Sequence, residues 1–282
     1  MKFTGERFVP AKYGSIALQH YHRYAFVLSQ ITDLQNKIIL DIACGEGYGS
    51  ELLASKAKQV YGVDISDETV LHAKKTYTKS NLTFLRGDAA DIPLENRSID
   101  VVVSFETIEH HDKHDEMMSE IKRVLKEDGV FIISSPDKAY YEKYYPGMKN
   151  EFHVKELYRK EFQNLLAKYF KNQYFFLQNN MYGSIISGEN DPSIYFNHPL
   201  HYNKQTGSSD ELESRFNIAI ASDLEMKFTR PTSLFTYDLN TEPFSMLDAR
   251  NREIEALRTS YSWRIGSLII KPFSFIKSLL KK

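Results

Sequence analysis

The chain has 282 residues, a formal net charge of -1 and one cysteine, Cys44. A chain this long buries enough surface to need no staple, and a lone cysteine excludes an intramolecular disulfide and a cysteine-rich zinc site. Near-neutral charge supplies no overall field for nucleic acid, no apolar run reaches the ~20 residues of a membrane span, and the start MKFTGERFVP lacks a signal-peptide core, so the expectation is a soluble cytoplasmic protein that binds no nucleic acid.

Residues 1–13 read as an arm or loop. Ala17, Leu18, Tyr21, Tyr24, Ala25, Leu28 and Ile31 recur at helical spacing and predict an amphipathic helix from Ser15 to about Leu34. Short apolar runs then follow, each closed by turn chemistry: Ile38–Ala43, Val60–Val63, Leu82–Leu85, Ile99–Phe105 and Val130–Ser134. Helical patterns lie between and after them, at about 48–57, 67–79, 114–126 and 155–169. Strands alternating with helices imply a doubly wound α/β domain, and near-continuous apolar runs suit parallel strands covered on both faces. Gln173–Leu177 and Phe216–Ala221 are two further strand candidates, separated by a stretch whose 187–210 portion reads as a surface loop. The organisation expected is an arm and cap helix over 1–36, the α/β domain over 37–223, and an extension over 224–282. That extension holds a short helical pattern from Leu247 to Tyr261 and ends in WRIGSLIIKPFSFIKSLLKK. Such a basic amphipathic tail can lie on an anionic membrane face or pack against the domain or a second subunit of a homo-oligomer.

The densest chemical signal is Asp41-Ile42-Ala43-Cys44-Gly45-Glu46-Gly47-Tyr48-Gly49, where the first strand meets a helix. Open α/β sheets bind ligands outside the carboxyl ends of their strands, and glycines there let a ligand touch the backbone. The spacing is G-x-G-x-G, not the G-x-G-x-x-G of dinucleotide binding, and G-K-[ST] is missing. Asp41 would repel a pyrophosphate but suits a sulfonium and an ammonium. Asp64 ends the second strand, where a carboxylate can accept from both hydroxyls of a ribose. Asp88 ends the third, placed to accept from an adenine amine with the Ala89 backbone nearby. Each aspartate alone could be a helix cap. Together they describe an extended cationic nucleoside.

These segments resemble the motifs of class I S-adenosyl-L-methionine-dependent methyltransferases: DIACGEG the first, VYGVDIS the second, LRGDAADIP the third. The resemblance implies a Rossmann-like, mostly parallel seven-stranded sheet of order 3-2-1-4-5-7-6. It implies S-adenosyl-L-methionine as cofactor, with Ala43, Gly45 and Gly47 along its methionine part, Asp64 and Ile65 at the ribose, and Asp88 and Ala89 at the adenine. Phe105 and Glu106, at the end of the fourth strand, would flank the methyl donor.

Acceptor candidates follow from the chemistry of methyl transfer, because a hydroxyl acceptor needs a proton-accepting group. In Phe105-Glu106-Thr107-Ile108-Glu109-His110-His111, His110 is the foremost base candidate, with Glu109 and His153 beside it as catalytic candidates; a structural role at the strand–helix junction is the alternative. His111 and His114 read as solvent-facing. Arg7 in the arm and His20, Tyr21, Arg23 and Tyr24 on the first helix read as acceptor-binding, though the aromatics could equally be packing residues. The GERF-x-P arm, the H-x-x-RY helix, VSFETIEH and N-x-FHVKEL further resemble bacterial methyltransferases of O-antigen and capsule assembly. That implies a saccharide or glycan-precursor acceptor, with a glycan-terminal phosphate, an amino sugar or a non-catalytic scaffold as alternatives. No carboxylate cluster with ligand spacing stands out, so no metal is expected.

Overall fold

The computed structural model describes residues 15–148, 150–179 and 214–227. The elements in chain order are α1 (Ser15–Gln30), β1 (Ile38–Ile42), α2 (Tyr48–Ala54), β2 (Gln59–Asp64), α3 (Asp67–Thr76), β3 (Leu82–Arg86), β4 (Ile99–Phe105), α4 (His114–Val124), β5 (Leu125–Pro136), α5 (Lys138–Tyr144), α6 (Arg159–Tyr169), β6 (Asn172–Gln178) and β7 (Phe216–Ser222). The strands form one sheet of order β3-β2-β1-β4-β5-β7-β6. β1 to β5 are parallel, while β7 runs antiparallel between β5 and β6. This is the Rossmann-like order expected. Order reverses at β1, so the connections leaving the paired strands β1 and β4 run to opposite faces and open a crevice at their carboxyl ends.

Side chains alternate across a strand, and that alternation assigns the two faces. Leu40 and Ile42 enter the main core with Met117, Met118 and Ile121 of α4 and Phe162, Leu165 and Leu166 of α6. Asp41, between them, faces the other way, where Tyr24 of α1 reaches it. β4 is buried along its whole length, as its VVVSF run anticipates.

The cap helix stops at Gln30, short of Leu34, and α6 begins at Arg159; two further departures flank β5. The helix expected over 114–126 stops at Val124, and β5 begins at once, because Leu125 already pairs with Ile99. α5 is an addition: Asp137 caps it by accepting from the Ala139 amide at 3.1 Å. None of its residues is buried, so it has no apolar stripe for a sequence reading to find.

Candidate active site

The glycine turn leaves β1 through left-handed backbone at Ala43 (φ 58°), Gly45 (φ 57°) and Gly47 (φ 97°). Ala43 is held there despite its Cβ, a conformation that costs roughly 1–2 kcal/mol and concentrates at functional sites. Gly47 has a second constraint, since a Cβ would lie 2.6 Å from the Phe84 ring. Gly49 lets Tyr24 pack directly on α2, and a Cβ there would fall 1.9 Å from its ring.

Asp41 lies beneath this turn, 1% exposed. Its carboxylate accepts from Ser50 Oγ at 2.7 Å and from the Tyr24 hydroxyl at 3.2 Å. Burial pushes its pKa up to about 7, against the lowering effect of those two hydrogen bonds. Two protein donors thus reach Asp41, which the sequence reading expects to face the ligand's charges.

Asp64 ends β2 and touches the turn directly. It accepts from the Gly45 amide at 3.0 Å and from the Ser66 amide at 2.9 Å. Ile65 beside it is 60% exposed, an apolar side chain standing at the strand ends rather than in the core. Asp88, past β3, accepts from the Ala90 amide at 2.9 Å, and Asp88 and Ala89 are half-buried. The sheet thus sets the glycine turn, Asp64 and Asp88 along the carboxyl ends of adjacent strands β1, β2 and β3.

At the end of β4, Phe105 is buried against Tyr24, ring centroids 5.2 Å apart. Glu106 leaves the strand with φ 51°. Its carboxylate accepts from Ser134 Oγ at 2.6 Å and pairs with Arg23 at 3.2 Å. Arg23 is 1% exposed; its Nε donates to Gln178 at 2.8 Å and its guanidinium lies 4.5 Å from the centre of the Phe216 ring. Arg23 and Tyr24, expected to bind the acceptor, are both buried and bonded to protein groups, Arg23 to Glu106 and Gln178 and Tyr24 to Asp41. His20, bonded to the Tyr48 hydroxyl at 2.9 Å, has its pKa lowered to about 3 by burial and by Arg23. It is neutral, so it offers an anion no charge. Tyr21 is half-buried and packs edge-on against Tyr48 at 5.5 Å. Arg7, the 187–210 loop and the tail lie outside the described residues.

Beyond Glu106 a 3₁₀ turn (Ile108–His110) brings Glu109 and His110 to His153, with ligand-type atoms all within 4.8 Å of one another. The Val154 and Lys155 amides donate to the Glu109 carbonyl at 2.8 and 3.0 Å, fastening the 150–157 segment to this turn. His110 Nδ1 bonds the Phe152 carbonyl at 3.0 Å, and His153 Nδ1 bonds Glu156 at 2.5 Å. His114, expected at the surface, is buried, and its Nε2 bonds the Ile108 and His111 carbonyls at 2.9 Å each. It braces the same turn. The sequence named these catalytic candidates one by one; their convergence across 42 residues of chain, from His110 to the Phe152 carbonyl, had no local signal.

Comparison with known proteins agrees with this geometry. Residues 40–133 match the family described as a methyltransferase domain. A protein of Mycolicibacterium smegmatis named a probable S-adenosylmethionine-dependent methyltransferase is 34% identical over 169 residues, 59% of this chain and 63% of that one. A phthiotriol/phenolphthiotriol dimycocerosates methyltransferase of Mycobacterium tuberculosis is 32% identical over 113 residues, 39% of this chain and 40% of that one. A crystal structure of a Pyrococcus horikoshii protein superposes with a TM-score of 0.54 over 74% of this chain and 92% of that one, at 19% identity. That likeness concerns the fold. The matched segment is thus that of a methyltransferase domain, and the chain is similar there to S-adenosylmethionine-dependent relatives. It spans less than two thirds of the length of these curated relatives.

Proposed function

We propose that the chain transfers the methyl group of S-adenosyl-L-methionine to a hydroxyl of a saccharide or glycan precursor. The observation that carries the transfer is the placement of the glycine turn, Asp64 and Asp88 along three adjacent strand ends, an arrangement matched to one extended nucleoside. Aligning donor and acceptor supplies much of the rate in such a displacement. The acceptor side is read from Glu109, His110 and His153, polar groups held beyond the strand end that flanks the donor. Phe152, whose carbonyl meets His110, is exposed, as are Tyr144, Tyr145 and Tyr158 in the flanking segments, and such rings can stack on the apolar faces of sugars. His110 and His153 are the groups available to manage the hydroxyl proton, directly or through what they bind.

A lipid acceptor is the second reading, favoured by the dimycocerosate methyltransferase among the relatives and by exposed Met148 and Val154 beside the same rings. Radiolabelled methyl transfer to a panel of lipid-linked saccharides, free sugars and acyl lipids separates the two. Incorporation into saccharide supports the first reading, and incorporation confined to acyl lipid replaces it. His110→Ala should lower turnover by about 10²–10⁴-fold with a hydroxyl acceptor; a phosphate acceptor, already anionic, would lose little. Among the described residues no helix is long and apolar enough to cross a membrane. Peripheral attachment through the basic tail is proposed on its composition alone. Flotation with anionic vesicles tests it, and binding unchanged by deletion of 263–282 would refute it.

A further inference from the structure

The grouping of Glu109, His110 and His153 brings two oriented imidazoles and a buried carboxylate to one point, more than a single proton acceptor needs. Each imidazole is held by its Nδ1. The Phe152 carbonyl can only accept, so His110 Nδ1 carries the proton and Nε2 holds the lone pair. The Glu156 carboxylate does the same for His153. Metal-binding histidines are held in this way: the outer N–H donates to a carbonyl or carboxylate, which fixes the tautomer and raises the basicity of the inner nitrogen. Here both histidines of one cluster show the pattern, one with each kind of acceptor. Glu109 adds an anionic oxygen at 1% exposure, where little water screens its attraction for a dication. The two segments that carry these groups are tied by the Val154 and Lys155 amides to the Glu109 carbonyl, and His114 braces the turn from behind. Side chains 44 positions apart in sequence are thus set within 4.8 Å on a braced frame.

We propose that Glu109, His110 and His153 hold a divalent transition-metal cation through one carboxylate oxygen and two Nε2 atoms, with the remaining coordination positions open to acceptor oxygens. Two imidazoles favour zinc, iron, cobalt or nickel over magnesium and calcium, which take oxygen ligands. This replaces the expectation of no metal. Binding of the cation stands on the geometry alone; its catalytic use rests on the methyltransferase reading. A cation there would hold two neighbouring hydroxyl oxygens of the acceptor and lower the pKa of one. That oxygen then attacks the sulfonium methyl carbon: the O–C bond forms as the C–S bond breaks, sulfur takes the bonding pair, and the hydroxyl proton leaves to solvent. Both histidines then act on the hydroxyl proton through the cation they bind.

The test is titration of the full chain, free of any histidine tag and stripped with chelator, with Co²⁺ followed by visible absorption and calorimetry. S-adenosylhomocysteine affinity is measured in parallel. The expected result is saturation at a single equivalent, displaced by Zn²⁺, with His153→Ala and Glu109→Gln abolishing tight uptake and Glu156→Gln weakening it by about 10–100-fold. Absence of uptake by the wild-type chain, or uptake unchanged in the His110→Ala/His153→Ala pair, overturns the proposal. Should the ligand variants lose S-adenosylhomocysteine binding as well and so fail to fold, Glu156→Gln decides: it alters only the outer partner of His153, and undiminished Co²⁺ affinity overturns the site. Cobalt uptake without S-adenosylhomocysteine binding supports the cation site and overturns the methyltransferase reading instead.

Discussion

Arg23 Nη2 on α1 stands 3.2 Å from Glu106 Oε1, at the residue where the chain leaves β4 in a left-handed turn. This pair joins the cap helix to the strand end that borders the methyl donor in the proposed reaction. The guanidinium is fully buried and also binds Gln178, so α1 is anchored to β6 as well. Removing one member of a buried pair strands the other charge, a loss of about 3–5 kcal/mol. Glu106 is partly exposed, so Glu106→Gln should fall at the low end, about 3 kcal/mol, in urea unfolding. Arg23→Met combined with Glu106→Gln should cost clearly less than the sum of the single variants, because no charge is then stranded. Additive costs would contradict the pairing.

Asp41 and His20 give opposite pH dependences. Asp41 has a folded pKa of about 7, above its ordinary 3.8, so its contribution is fully present at low pH and is lost as pH rises through that interval. His20 has a folded pKa of about 3, below its ordinary 6.5, so its contribution is present above 6.5 and is lost as pH falls toward 3. Asp41→Asn should therefore gain on the wild type as pH rises from about 4 to about 7, by about 4 kcal/mol at most. His20→Gln should retain more of its stability than the wild type below about pH 6. Denaturation midpoints across pH read both, and parallel curves would remove the assigned shifts.

Gly49 tests the packing of α1 on α2. Alanine in a helix is ordinarily favoured over glycine by about 1 kcal/mol. Here its Cβ would meet the Tyr24 ring at 1.9 Å, and moving that ring breaks its hydrogen bond to Asp41. Gly49→Ala should therefore destabilise by about 1–3 kcal/mol. In a Tyr24→Leu background the same change should be neutral or stabilising. A stabilising Gly49→Ala in the wild-type chain would show that Tyr24 does not pack there.

The central strands were readable because burial on both faces leaves apolar runs such as IIL and VVVSF, and because β1 to β4 are each closed by a glycine or an acid. Asp64 and Asp88 were readable for the same reason: strand ends carry their position in the local pattern. The buried partners of Arg23 and Tyr24 were not legible, because a polar or aromatic side chain on a helix looks the same whether it faces a ligand or a buried carboxylate. The site around Glu109 was legible residue by residue but not as a constellation. His153 reaches it through backbone bonds from Val154 and Lys155, which depend on tertiary structure and leave no periodicity. α5 escaped notice because an exposed helix of Lys, Tyr and Glu has no buried stripe.

The most direct measurement is calorimetric titration of the chain with S-adenosylhomocysteine, beside the Asp64→Ala variant. Asp64 is the acid that touches the glycine turn, so its loss removes the charged acceptor expected to hold the ribose hydroxyls. The account predicts saturable binding to a single site, weakened in the variant by about 1.5–3 kcal/mol, roughly 10–150-fold. No binding by the folded wild-type chain, or equal affinity in the two proteins, would contradict it.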